Sequence, residues 1–344
     1  MTATPPTPDP GSAIRELVRS GRFGEGLAAF RQLGEPRLRG RPDLLLLAAT
    51  AAARLGDFAA AEAFSREALE GFRKRGDRDG RMRSLNLLGV IGFERGRLQE
   101  AEVAFVEALT LARQLADTQL AAHASNNLGS VYHLRGQADE ALSLYREAIA
   151  SHSRLGDRRG TAESWHNLGL ALRELGVWRD AEDAVAEAVR HAEAAGDPTL
   201  LALAVTGHAE LRVDRGQYAL SAQDLDRAER LATQAQDDIG AGEVHRVRAL
   251  AALRRGDAAT VIREAEAAHA AATANGVELL RAESAALLAL ALHRLGHADL
   301  AEVRRAEALT GYRALGAKAL EQRLVREWGA GELRPPDPGS LPIG

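Results

Sequence analysis

The residues of this chain best equipped for chemistry are amides and guanidiniums. Asn86 and Asn126 each present a carbonyl acceptor and an amide donor, enough to bracket a peptide backbone amide. Arg83, Arg173 and Arg246 can each pair a carboxylate through two parallel hydrogen bonds. Histidines at 123, 133 and 166 raise the question of a metal. If one helix holds both His123 and His133, they stand about 15 Å apart in rise and about 80° apart around its axis, too far to share an ion. No ligand spacing supports a metal site, and no cofactor is expected. The sequence contains no HExxH, no GxxxxGK[ST] and no GxSxG, so no catalytic constellation points to an enzyme. These groups suit binding rather than turnover.

The elements that position them are set by a repeat. Gly56, Gly96, Gly136, Gly176, Gly216, Gly256 and Gly296 are spaced 40 residues apart. Ala68, Ala108, Ala148, Ala188, Ala228, Ala268 and Ala308 keep the same phase twelve residues later. With 33 glycines in 344 residues, such a run is a repeat architecture and not chance. Each 40-residue unit holds two apolar-periodic segments around a glycine break, which predicts a helix–turn–helix pair. Gly89, Gly129 and Gly169 fall inside first helices, where glycine costs about 1 kcal/mol against alanine, so a close helix crossing is the expected reason. Ala61, Ala101, Ala141, Ala181 and Ala301, with Ser221 and Val261 in phase, are the small residues that let the second helix pack on the first. The turn glycines are expected to be left-handed. A second series, Gly76, Gly156, Gly196, Gly276 and Gly316, marks unit boundaries, with Asp77, Asp157 and Asp197 placed to start the next turn.

Seven repeats span 41–320. Residues 12–40 read as a degenerate N-terminal capping repeat and 321–330 as a C-terminal capping helix. The tails, 1–11 and 331–344, are proline-rich, a composition that predicts disorder. The fold class is therefore all-α, a solenoid of stacked helix–turn–helix repeats, which builds an extended binding surface and no enclosed catalytic pocket.

Composition narrows the partners. There are 44 basic and 48 acidic residues, a net charge of −4, so nothing calls for nucleic acid or an anionic membrane. Cysteine is absent, which excludes disulfides and thiolate chemistry. The opening MTATPPTPDPGSA has neither a charged n-region nor an apolar h-region, so no secretory signal is read there. The apolar run near Leu44 to Ala53 is too short to span a bilayer. A cytoplasmic protein without membrane contact is the expectation.

Asn127-Leu128-Gly129, Tyr132, Gly136, Ala141, Tyr145 and Ala148 together resemble the tetratricopeptide repeat, and the pattern recurs over about 41–320. Its 40-residue period is longer than the family's usual length of about 34. That length is similar to the long-helix repeats of G-protein-regulator scaffolds, kinesin light chains and many bacterial regulators. The resemblance implies a right-handed superhelix whose first helices line a concave wall. Carried onto this sequence, it implies an inward ladder of Arg83, Asn86, Glu94, His123, Asn126, Ser130, His133, Glu163, His166, Arg173 and Glu174, continuing through Thr206, Glu210, Asp214, Arg246 and Arg254. The implied function is a non-catalytic scaffold or adaptor that holds a protein or peptide segment in the groove. The alternative is a bacterial signalling-peptide sensor that acts through a partner protein. A carboxylate-gripping chaperone clamp fits less well, because the only lysines, Lys74 and Lys318, stand at unit boundaries. Oligomeric state stays open.

Overall fold

A computed structural model describes residues 10–33 and 40–329. The described residues form 17 α-helices and no strand. A short leading pair, α1 (Pro10–Arg19) and α2 (Phe23–Gln32), precedes seven longer ones. The first helices of those pairs are α3 (Pro42–Arg54), α5 (Arg78–Glu94), α7 (Thr118–Leu134), α9 (Arg158–Glu174), α11 (Pro198–Asp214), α13 (Asp238–Arg255) and α15 (Glu278–Arg294). Their second helices are α4 (Phe58–Arg75), α6 (Leu98–Gln114), α8 (Ala138–Leu155), α10 (Trp178–Ala195), α12 (Tyr218–Ala235), α14 (Ala258–Asn275) and α16 (Ala298–Leu315). A terminal helix, α17 (Lys318–Gly329), closes the series. The chain is an all-α solenoid of stacked helix pairs. Among the described residues, no helix is long and apolar enough to cross a membrane.

Left-handed Gly316 ends α16, and the chain turns back into helix two residues later, at the start of α17. α1 begins at Pro10, inside the stretch expected to be disordered. The rest of that stretch, residues 1–9, and the C-terminal tail from 330 onward lie outside the described residues, as does the linker 34–39.

The described residues divide into two compact units. Unit 1 holds residues up to 95 together with 99–124, and unit 2 holds 96–98 together with 125 onward. In unit 1, Ile14, Leu27 and Phe30 of the leading pair join Leu44, Ala48 and Phe72 in one apolar cluster. Phe30 meets Phe64 edge-on, with ring centroids 5.1 Å apart. In unit 2, Tyr145 is fully buried among Ala141, Leu168, Ala181 and Val185.

The turns work as the glycine series implied. Gly56, Gly96, Gly136, Gly176, Gly216, Gly256 and Gly296 all have φ between 70° and 78°. The boundary series is also left-handed, but two of its positions are not glycine: Ala116 sits at φ 55° and Gln236 at φ 53°. The aspartates that follow are helix N-caps. Asp77, Asp117, Asp157, Asp197 and Asp237, at the starts of five of the seven first helices, accept hydrogen bonds from the backbone N–H three residues on, at 2.9–3.1 Å.

The crossings are as close as the glycines within first helices suggested. A Cβ on Gly89 would stand 2.5 Å from the Phe105 ring, on Gly129 2.7 Å from Tyr145, and on Gly169 2.6 Å from Val185. Ala61, Ala101, Ala141, Ala181, Ser221, Val261 and Ala301 are all fully buried.

Two predictions follow from these positions. A left-handed L-residue costs about 1–2 kcal/mol, and glycine returns about 0.4–1 of that as added freedom of the unfolded chain. Ala116→Gly and Gln236→Gly are each expected to raise stability in urea by about 0.5–1 kcal/mol, whereas Gly156→Ala lowers it. Ala148→Leu, at a fully buried site, overpacks its crossing and costs about 1–3 kcal/mol in the same assay. Unchanged midpoints would contradict both assignments.

Candidate peptide-binding cleft

Stacking in register brings residues nearly one repeat apart side by side. Glu210 on α11 lies 36 residues before Arg246 on α13 and 37 after Arg173 on α9, so the three meet on the inner wall of unit 2. Arg246 holds Glu210 with two donors, Nη1 to Oε1 at 3.1 Å and Nη2 to Oε2 at 2.8 Å. Arg173 Nη1 adds a contact of 2.8 Å to Oε1. All three side chains are buried. Burial alone would raise the pKa of Glu210, but the two guanidiniums outweigh it and hold the carboxyl well below the usual range. Burial acts to lower the pKa of Arg173 and Arg246, and Glu210, with the other carboxylates around them, raises both above the usual guanidinium range.

This trio is one wall of a cleft of about 690 Å³. First helices α9, α11, α13 and α15 line it together with the end of α7 and the terminal helix α17. Its polar groups fall into two kinds. His133 and Glu174 form a short pair, Nε2 to Oε2 at 2.9 Å. Asp214 and Glu283 are held only at longer range: Asp214 lies 3.6 Å from Arg173 and 4.0 Å from Arg254, and Glu283 3.7 Å from both Arg246 and Arg323. Burial raises the pKa of these two carboxyls, and their distant cations only partly offset it. Apolar surface between the charges comes from Leu250, Leu287 and Leu290. Such a space, with a few convergent charged groups on apolar walls, falls within the ~300–1,000 Å³ of ligand pockets.

The structure sorts the residues expected on the ladder. His133, Arg173, Glu174 and Arg246 line this cleft, with Glu210, Asp214 and Arg254. The other residues of unit 2 lie elsewhere. Asn126 is buried between first helices, accepting a hydrogen bond from Asn167 Nδ2 at 3.2 Å. Ser130 donates to the Asn126 carbonyl and accepts from the Tyr145 hydroxyl, each at 3.3 Å. Glu163 pairs with Arg159 at 3.0 Å. His166 is buried with its ring edge against Gly207, where a Cβ would stand 2.7 Å from Cε1. Thr206 is buried and donates to its own helix, to the Ala202 carbonyl. The remaining four belong to unit 1: Arg83 is exposed and paired with Asp79, Asn86 and His123 are half-buried, and Glu94 is exposed.

Sequence reasoning overlooked Glu283, Arg323 and Glu327. The 40-residue phase of 83, 123 and 163 runs on through Leu203 and Glu243 to Glu283 and Arg323, but only the last two line the cleft.

Residues 41–114 and 120–194 match the tetratricopeptide repeat family model. Among solved structures, the chain is similar to a Rap protein complexed with competence and sporulation factor, at 14% identity and a TM-score of 0.69, over 90% of this chain and 81% of that one. It is similar to the Rap conjugation gene regulator of the plasmid pLS20 in complex with the Phr* peptide, at 16% identity and a TM-score of 0.59, over 84% of this chain and 76% of that one. A third is the apo quorum sensor NprR from B. thuringiensis, at 12% identity and a TM-score of 0.57, over 93% and 97% of the two chains. At these identities the likeness is one of fold. No curated protein matches the sequence.

Two buried groups set the response to acid. Glu210, depressed in the folded chain, stabilises it above the unfolded carboxyl pKa of about 4.3, and that contribution is lost as pH falls below it. His166 has a folded pKa of about 4 because burial disfavours its charged form. The unfolded chain, with a histidine pKa of about 6.5, takes that proton first, so stability declines from about pH 6.5 to pH 4 by at most about 3 kcal/mol. Urea unfolding of His166→Asn should lack this slope, and Glu210→Gln should lose about 3 kcal/mol at neutral pH by removing the carboxylate that Arg173 and Arg246 share, which leaves Arg246 to Glu243 at 2.7 Å and Arg173 to Asp214 at 3.6 Å. The chain carries tetratricopeptide repeats over residues 41–114 and 120–194, set at its 40-residue period.

Proposed function

We propose that the chain is a non-catalytic interaction protein that binds a peptide in the cleft of unit 2 and transmits that binding to a partner protein. The observation that carries this reading is the contrast between two kinds of charge on the same wall. Glu210 is saturated by two arginines and serves as fixed scaffold. Asp214, Glu283 and Arg254 meet their nearest opposite charges at 3.6–4.0 Å and keep capacity for a ligand's amide, amino or carboxyl groups. Support also comes from the fold, which in the pLS20 regulator accommodates a peptide. The signalling-peptide reading gains from the same likeness, and from a cleft sized for a small ligand rather than a folded domain.

The test is equilibrium dialysis against a pool of random pentapeptides, with retained sequences read by mass spectrometry. Wild type should retain a defined subset, and Asp214→Asn/Arg254→Gln should retain it about tenfold less or worse. The reading fails if wild type retains nothing, or if the variant retains the same subset equally well.

A further inference from the structure

The terminal helix does more than end the stack. One face of α17, at Lys318, Gln322, Arg323, Arg326 and Glu327, borders the cleft. Leu320 and Leu324, which also line the cleft, are buried in the apolar cluster built from α13 to α16. Trp328 stacks on His293 with centroids 4.4 Å apart and lies 4.8 Å from the Arg305 guanidinium. These contacts make α17 one body with the last repeat.

The start of α17 meets a much earlier part of unit 2. Leu134, the last residue of α7, packs against the cluster that contains Leu315, Leu320 and Leu324. A Cβ on Gly136, in the turn between α7 and α8, would stand 4.0 Å from the Cβ of Ala319. Two ion pairs tie α17 back to first helices, Arg323 to Glu283 at 3.7 Å and Glu327 to Arg254 at 3.6 Å. Unit 2 therefore closes on itself. First helices form one side of the cleft, α17 forms the other, and the α7–α8 turn joins them.

A ring restricts what can occupy it. An open groove accepts any stretch of a polypeptide laid in from the side, but a closed one admits only what can pass through its mouths. We infer that the cleft takes a free chain end, either a short linear peptide or the terminus of a partner, and excludes the same residues held within a loop of a folded protein. This rests on the peptide-binding reading of the cleft and narrows it to one class of ligand. Entry then needs no opening of the contact between α17 and the α7–α8 turn.

The lack of cysteine makes this testable with a single lock. Gly136→Cys/Ala319→Cys places one disulfide across the closure, since a Cβ separation of 4.0 Å lies within the ~3.5–4.5 Å that disulfides adopt. The probes are the random pentapeptide pool offered free, and the same pool displayed in an internal loop of a folded carrier. Oxidised and reduced protein should retain free peptides equally, and both should retain displayed peptides at least about tenfold less. Leu134→Asp, with helicity checked by circular dichroism, should loosen the closure and narrow that tenfold gap. Loss of free-peptide binding on oxidation, restored by reduction, would mean that the ring must open, and would overturn the inference while leaving the peptide reading intact. Equal retention of free and displayed peptides by the oxidised protein would also overturn it. If no form of the protein retains free peptides, the peptide reading fails and the inference falls with it.

Discussion

Close approach of paired helices is the constraint on which the rest depends. A glycine within a helix costs about 1 kcal/mol against alanine, yet Gly89, Gly129 and Gly169 stand where any Cβ would collide with Phe105, Tyr145 or Val185. Burying a large side chain contributes about 1.5–3 kcal/mol, which outweighs that cost. Alanine fills most other contact positions, so a chain with only 4% aromatic residues still buries its crossings. The capped, left-handed turns then fix where each pair ends and the next begins.

Register follows from that spacing, and the cleft follows from register. Residues 36 or 37 apart become neighbours because each first helix lies beside the next at nearly the same height. Glu210 owes its low pKa and its rigidity to this, as do the arginines on either side. That saturated wall leaves Asp214 and Glu283 with longer-range partners only, one of which, Arg323, also ties α17 to α15. Asp214 and Glu283 are half-buried with weakly compensated charge, a condition under which a ligand's polar groups gain from being bound.

Much of the fold was legible in the sequence because it is periodic. Turn glycines, small crossing residues and the boundary aspartates all recur at 40, and each recurrence names a local geometry. The site was legible only in part. The phase found Arg173, Glu174, His133 and Arg246, and followed further it reaches Glu283 and Arg323. It did not distinguish residues facing the cleft from residues wedged between helices. Asn126 turns toward Asn167, and His166 fits against Gly207 because that residue has no side chain. Both depend on what the neighbouring repeat places opposite, which one helix's periodicity does not encode. The return of α17 to the α7–α8 turn has no periodic signal at all.

That return also orders the assembly of the molecule. Every other tertiary contact described for the cleft joins helices within a few repeats, the kind of local topology that folds quickly. Gly136 and Ala319 have more than half the chain between them. Joining them in a disordered chain costs about 1.4 kcal/mol more entropy than joining residues one repeat apart. The closure therefore forms last, when the intervening pairs have stacked and brought both partners within reach. Growth of the solenoid measures out its own circumference, and the ring shuts only if every repeat before it has the right length.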